Sequence, residues 1–461
     1  MDEYDVVVIG GGPAGENAAG RCAAGGLSVA LAERELVGGE CSYWGCIPSK
    51  TLIRPGDLLA AAQRVPGAAE AVTRHVDAAA AFAQRDYMTS SWSDAGQLPW
   101  LAENGIDLLR GDGRLAGTRA VTVTSGGDVR EVRPRQAVVL ATGTRPRLPA
   151  TPGLAEARPW DNRERTVKSL PRRLVVLGGG AVGVELAQAF RRLGTETVTV
   201  LEVGPRLLPR EEPFAGEEVK AALEDEGVTV MTSVQLSSVD RAQPDGPVSI
   251  RLKDGTVVVG DELLVAAGRR AATDDLGLSS VSLEPGAYVE VDNRLPAGGV
   301  DGGWLYAVGD VNGLAPLTHM GKYQARVAGD VILGKDARDL ASRDVVPRVT
   351  FTDPQVCAVG LTQSGAVARG LDVRAVTYGT GDVAGAYTSG NGVRGTSKLV
   401  VDQARGVVVG ATFTGPGVQE LLHSATVAVA GEVPLDRLWH AAPSFPTVSE
   451  VWLRLLETYG L

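Results

Sequence analysis

Two cysteines five residues apart stand in the segment Gly38-Gly39-Glu40-Cys41-Ser42-Tyr43-Trp44-Gly45-Cys46-Ile47-Pro48-Ser49-Lys50. So solitary a pair makes a poor zinc site, which needs four ligands, and no second Cys/His pair with ligand spacing occurs in the chain. On an ideal helix residues i and i+5 lie roughly 8–9 Å apart, too far for a disulfide. The segment therefore reads as a distorted turn, for which Gly45 and Pro48 are suited. A thiol near a helix N-terminus is acidified, which suits a thiolate nucleophile. The other two cysteines, Cys22 and Cys357, sit in apolar runs and read as buried hydrophobes.

Phosphate-binding chemistry is suggested upstream. An apolar run over residues 5–9 enters the glycine cluster Gly10, Gly12, Gly15 and then a helix over 14–24. The pattern returns 168 residues later as Gly178, Gly180, Gly183, with a helix over 184–193. Each copy continues into a strand that ends in an acid, Glu33 or Glu202, 23 and 24 residues after its first glycine. Each closes with an apolar strand before a further glycine: 137–140 before Ala141-Thr142-Gly143, and 263–265 before Ala266-Ala267-Gly268. Glycines between strand and helix let the backbone approach a pyrophosphate at the helix N-terminus, and the acid accepts hydrogen bonds from a ribose diol. The chain reads as a duplicated dinucleotide-binding fold.

The elements that must position these residues fit within 461 residues, enough for two to four domains at about 100–200 residues each. A composition 44% hydrophobic and 22% charged excludes wholesale disorder. The net charge of −10 argues against a nucleic-acid partner. No apolar run reaches the ~18 residues of a membrane span. The first strand follows Met1 too closely for a signal peptide, so a cytoplasmic enzyme is expected. Residues 53–84 are Ala-rich and helix-prone with a break at Pro66-Gly67, and 85–136 read as connecting strands and loops. After Pro347 come strands over 348–351, 397–402 and 407–413, then helices over 417–430 and 448–458, a third, α+β domain.

With these motifs in this order, the chain resembles the pyridine nucleotide–disulfide oxidoreductases, the flavoprotein family of dihydrolipoamide dehydrogenase, glutathione reductase and mercuric reductase. The resemblance runs through Gly268-Arg269, Leu305-Tyr306-Ala307-Val308-Gly309-Asp310, Phe351-Thr352-Asp353-Pro354 and Pro446-Thr447-Val448-Ser449-Glu450. It implies an α/β fold: an FAD-binding domain at 1–152 and 275–346, an NAD(P)-binding domain at 153–274, both of Rossmann type, and an α+β dimerisation domain at 347–461. It places Gly10, Gly12, Gly15 and Glu33 at the ADP half of FAD and Asp310 on the ribityl chain. Gly113, Thr142, Gly143, Thr318 and His319 would also border the cofactor. Nicotinamide nucleotide would lie on Gly178, Gly180, Gly183, Glu202 and Gly268. Cys46 would be the thiol next to the flavin and Cys41 the one that attacks substrate, with Lys50 and Glu185 an ion pair near the flavin's reactive nitrogen. Electrons would pass from nicotinamide through FAD to the Cys41–Cys46 disulfide and on to a small-molecule acceptor. A carboxylate at Glu202 favours NADH over NADPH, although Arg206 and Arg210 come soon after it and could soften the preference. A homodimer is implied, because in the family the C-terminal motif serves the partner's disulfide.

That motif is also where the chain departs from the family. The family pattern His-Pro-Thr-x-x-Glu supplies an acid–base His held by the Glu. Here Phe445 takes the position of the base and Glu450 is retained. Three readings are open: His440 replaces the base from a longer loop; the acceptor (a quinone, a metal ion, oxygen or a dye) needs no proton shuttle; or Phe445 keeps protons from a carbanion, as in 2-ketopropyl coenzyme M oxidoreductase/carboxylase. A flavin-binding subunit or redox sensor without catalysis stands as the non-enzyme alternative.

Overall fold

The computed structural model of the chain describes residues 2–163 and 169–461. It divides into two compact units, Met1–Pro48, Asp86–Arg147 and Arg269–Arg343 in one, and Ser49–Arg85, Leu148–Gly268 and Asp344–Leu461 in the other.

The first unit is built on a mixed sheet with a parallel core, extended by the antiparallel strands Val121–Ser125 and Asp112–Leu115. The core strands run in the order Ile106–Arg110, Val29–Glu33, Asp2–Ile9, Asp128–Leu140, Leu305–Ala307, in parallel register (Val6 opposite Val29 and Ala137; Leu305 opposite Val138). Both faces are covered, so the central strand is a continuous apolar run rather than an alternating one. Val6 and Val8 pack under the helices Pro13–Ala24 and Thr318–Ile332, while Val7 and Ile9 face a second core with Leu276 and Trp304. The two helices approach closely because Gly329 leaves room for Arg21, which is paired bidentately with Asp330.

The second unit holds a four-stranded parallel sheet, Thr229–Met231, Thr197–Leu201, Arg173–Leu177 and Glu262–Val265, packed against the helix Ala181–Leu193. It also holds a five-stranded antiparallel sheet in the order Arg348–Thr350, Gln355–Gly360, Val407–Gly415, Thr396–Asp402, Val373–Gly379. The helices Leu422–Ala430 and Val451–Tyr459 close the core of that sheet around Phe413, Val401 and Leu455. The α/β class expected from the sequence holds, with an α+β C-terminal part.

The structure changes three local expectations. The helix expected from residue 53 begins at Cys46 and runs to Gln63, because Pro48 falls in its first turn, where a missing N–H costs nothing. Two strands of the C-terminal sheet, Gln355–Gly360 and Val373–Gly379, had no counterpart in the sequence reading. Residues 85–136 are more than connections. They include the helix Leu98–Glu103 and a left-handed turn at Ser90–Trp92, a conformation that costs about 1–2 kcal/mol for each residue other than glycine.

Candidate functional site

The two glycine clusters fold almost identically. Gly10 and Gly178 have φ of 103° and 112°, and each donates its N–H to the neighbouring strand, at 2.9 Å to Ala32 and 2.8 Å to Leu201. A Cβ on Gly15 would lie 1.8 Å from the Gly10 carbonyl oxygen, and one on Gly183 would lie 1.9 Å from that of Gly178. These glycines pack helix against strand. Others leave room instead: a Cβ on Gly143, Gly180 or Gly268 would meet nothing within 4 Å, and one on Gly12 only Gly39 at 4.0 Å. The acids are clasped in the same way. Glu33 accepts from Gly11 N–H and Glu35 N–H, both at 2.6 Å, and Glu202 accepts from Gly179 N–H at 2.5 Å and Gly204 N–H at 2.6 Å. Burial pushes the Glu33 carboxyl up, and the two backbone donors oppose that.

In the first unit, Asp310 accepts from the Thr144 hydroxyl at 2.9 Å, and Arg269 donates to that hydroxyl at 2.6 Å and to the Thr144 carbonyl at 2.9 Å. Burial pushes the Asp310 carboxyl up. The Thr142 hydroxyl is buried with no hydrogen-bond partner, beside the left-handed Gly143. A buried polar atom left unpaired costs about 1–3 kcal/mol, so its presence here marks a place for a polar ligand. Open glycines, an orphan hydroxyl and a clasped acid around one helix N-terminus fit a dinucleotide. Gly113 lies apart from that turn, on the strand Asp112–Leu115, where it packs against Ile9 and Ala32.

The cysteine segment is distorted as expected, and the structure shows how. A short helix, Gly39–Tyr43, ends at Trp44 (φ −131°), and Cys46 opens the 18-residue helix Cys46–Gln63. Gly45 lets the two turns close up, since a Cβ there would meet Glu40 O at 2.9 Å. The Cys46 thiol lies 3.4 Å from the hydroxyl of Thr318, the first residue of the helix Thr318–Ile332, and His319 comes next in its first turn. The expected acidification does not extend to Cys41. Its hydrogen bond with the Cys46 thiol, and then burial, push the Cys41 thiol well up. Cys22 and Cys357 are buried, and burial raises both thiols, Cys22 to about 12.

In the second unit, Lys50 pairs with Glu185 at 2.7 Å and lies over the Phe351 ring at 4.8 Å, while Glu185 also accepts from Phe351 N–H at 2.8 Å. Seven residues further along each helix comes a second rung, Asp57 to Arg192 at 3.0 Å. Arg192 also holds Glu226 at 2.6 Å and Asp353 at 2.8 Å. Burial pushes Asp57 up to about 6 against the pull of Arg192. Near Glu202, Arg206 donates to the carbonyls of Leu208 and Pro209 at 3.2 and 2.9 Å, and Arg210 is exposed.

At the C-terminal motif Phe445 is 75% exposed. Glu450 is buried and engaged elsewhere, by Arg454 at 2.6 Å and Ala384 N–H at 3.3 Å. His440 lies exposed just beyond the helix Leu435–Leu438 and is not among the hydrogen-bond partners of Glu450. The sequence reading overlooked two residues near the cysteines, Trp92 and Asp94, which donate to Tyr43 and accept from Val37 respectively. Only the turn-like Thr89–Asp94 stretch could have pointed to them.

Residues 4–328 match the family described as "Pyridine nucleotide-disulphide oxidoreductase", and residues 346–455 match its dimerisation domain. The chain belongs to that family. Among curated oxidoreductases of the family, it is 33% identical to a dihydrolipoyl dehydrogenase of Chlorobaculum tepidum, over 97% of this chain and 95% of that protein. It is 29% identical to a mercuric reductase of Staphylococcus aureus, over 97% of this chain and 81% of that protein. Among solved structures it is similar to the Cu(II) complex of the HOCl-induced flavoprotein disulfide reductase RclA of Escherichia coli. That match has TM-score 0.86 and 26% identity over 99% of each chain. The pyridine nucleotide–disulfide oxidoreductase described here is thus a flavoprotein enzyme of a family that depends on FAD and uses NAD(P)H. Among the described residues, no helix is long and apolar enough to cross a membrane.

Proposed function

We propose that this oxidoreductase takes two electrons from NADH into the Cys41–Cys46 pair and delivers them to a small acceptor that needs no proton from the protein, such as a quinone or a metal ion. The overall balance is NADH, a proton and the disulfide giving NAD⁺ and the dithiol; the dithiol then returns to the disulfide, its two electrons reducing the acceptor and its two protons leaving to water, from which a quinone would take the two it needs. FAD, when bound, supplies the two-electron carrier between nicotinamide and cysteines. Gly12, Gly143, Thr142, Glu33 and Asp310 would hold it: the open glycines admit the pyrophosphate, Glu33 takes the ribose diol, and the orphan Thr142 hydroxyl finds a partner. Gly180, Gly268 and Glu202 would hold the nicotinamide nucleotide, and the dimerisation domain supports a homodimer.

The observation that carries this reading is Phe445, exposed at the place where the family motif has its base. Exchange with a disulfide substrate requires a thiolate. The contact with Cys46 pushes the Cys41 thiol up rather than down, and the motif that would supply a base to deprotonate it offers Phe445 instead. A positioned base is worth roughly 10²–10⁴ in rate. Acceptors that bypass thiol exchange escape that loss.

The direct test is anaerobic titration with NADH. A long-wavelength thiolate-to-flavin absorbance after two electrons is expected, and Cys46→Ser should abolish it. A band that survives that substitution would remove Cys46 from its role. Nucleotide preference has its own test. Glu202 presents a fixed carboxylate. NADH should therefore be used at least tenfold better than NADPH in kcat/KM, and Glu202→Ala should narrow the gap by about tenfold, the scale of one charged hydrogen bond. Equal use of both nucleotides by the unaltered enzyme would contradict the assignment.

A further inference from the structure

Between the helices Ala78–Met88 and Leu98–Glu103 the backbone does something no simple connection requires. Ser90, Ser91 and Trp92 are all left-handed, with φ of 49°, 51° and 57°. Left-handed backbone is visited routinely by single glycines or asparagines, not by runs of other residues. Where surrounding structure enforces such a conformation, it tends to serve a function. The turn is closed by Trp92 N–H on Thr89 O at 2.9 Å and Ser93 N–H on Ser90 O at 3.1 Å.

Its contacts converge on the cysteine loop. The Trp92 indole N–H donates to the carbonyl of Tyr43 at 3.1 Å, within the stretch between Cys41 and Cys46. The Tyr43 hydroxyl donates to the carbonyls of Ser93 at 3.3 Å and Val37 at 3.1 Å. Asp94 accepts from Val37 N–H at 2.9 Å and from Arg110 at 2.6 Å, and Arg110 also reaches the Glu35 carbonyl. From this turn the Trp92 indole reaches Tyr43, and Asp94, two residues on, reaches Val37. Tyr43 itself is buried, one residue before the kink at Trp44-Gly45.

We propose that the left-handed turn Ser90–Trp92 braces the redox loop, with Trp92 as a positioning residue that fixes Tyr43 and through it the approach of the two thiols. The inference rests on the reading of Cys41–Cys46 as the redox pair. A disulfide tolerates only a narrow range of sulfur approach, and here the two cysteines sit on different helices joined by a kink. Holding that kink raises the effective concentration of one thiol against the other and so favours the bonded form.

The test uses purified holoenzyme without nicotinamide nucleotide, equilibrated anaerobically with mixtures of reduced and oxidised dithiothreitol. In that exchange the protein dithiol gives two electrons and two protons to oxidised dithiothreitol, one S–S bond forming as the other breaks. After acid quenching, alkylation and mass mapping give the fraction bonded. Trp92→Phe keeps the aromatic bulk and loses the donor, and should shift the equilibrium constant about three- to tenfold towards the dithiol, the effect of one hydrogen bond. Tyr43→Phe removes the hydroxyl instead and should shift it in the same direction, so the test survives a Trp92→Phe chain that fails to fold. If the unaltered pair never bonds, even in fully oxidised buffer, the redox reading falls and the brace with it. If it bonds, but the variants that fold keep its equilibrium constant, the brace alone falls.

Discussion

Gly183→Ala should leave a yellow, folded protein that NADH no longer reduces. The added methyl would stand 1.9 Å from the Gly178 carbonyl oxygen, and that atom is backbone and cannot step aside. The helix Ala181–Leu193 must then move off its strand, carrying its N-terminal N–H groups away from the position a pyrophosphate needs. A displacement of about 1 Å at such a site costs on the order of 10²-fold in rate, so flavin reduction by NADH should fall by at least about that factor. The first glycine cluster belongs to the other compact unit and keeps its own geometry, so flavin content should be unchanged. Stopped-flow reduction against a visible spectrum decides the matter. Reduction at the unaltered rate would mean that the second cluster does not bind the nucleotide.

Phe445→His should raise reduction of small disulfides about tenfold or more and change its pH profile. If Cys41 is the thiol that exchanges with substrate, its upward shift means that the thiolate fraction, and with it the rate, should climb with pH through the neutral range in the unaltered enzyme. An imidazole near its usual pKa of about 6.5 would take the proton earlier, and the climb should flatten above that pH. The gain should fall short of the roughly 10²–10⁴ of a well-oriented base. Glu450, which would orient the new ring, is already held by Arg454 and Ala384 N–H. Quinone reduction should not change. If neither rate nor profile moves, the proton shuttle is not what limits disulfide exchange.

The sequence was most informative where a residue type is forced by backbone geometry. Gly10 and Gly178 at positive φ, Gly15 and Gly183 against a carbonyl, and an acid at the end of the next strand are readable because few other residues would fit. The cysteine pair was readable by spacing, and the distortion it demands is the kink at Trp44-Gly45. What was hidden depended on how each loop folds rather than on which residue types it contains. Whether Cys41 is acidified turns on its contact with Cys46 and on burial, which a helix-end argument does not contain. Where Arg206 is held, by the carbonyls of Leu208 and Pro209, is likewise set by the folded loop. The turn at Ser90–Trp92 was hidden because no glycine marks it.

Glu33 and Glu202 are gripped by the same pair of backbone donors, to within 0.1 Å at each oxygen. A grip made of main chain is indifferent to the side chains around it, so the backbone alone holds each carboxylate in place. The folding of each unit thus sets its acid in advance, and a diol that docked there would meet a carboxylate with no rotamer freedom left to lose.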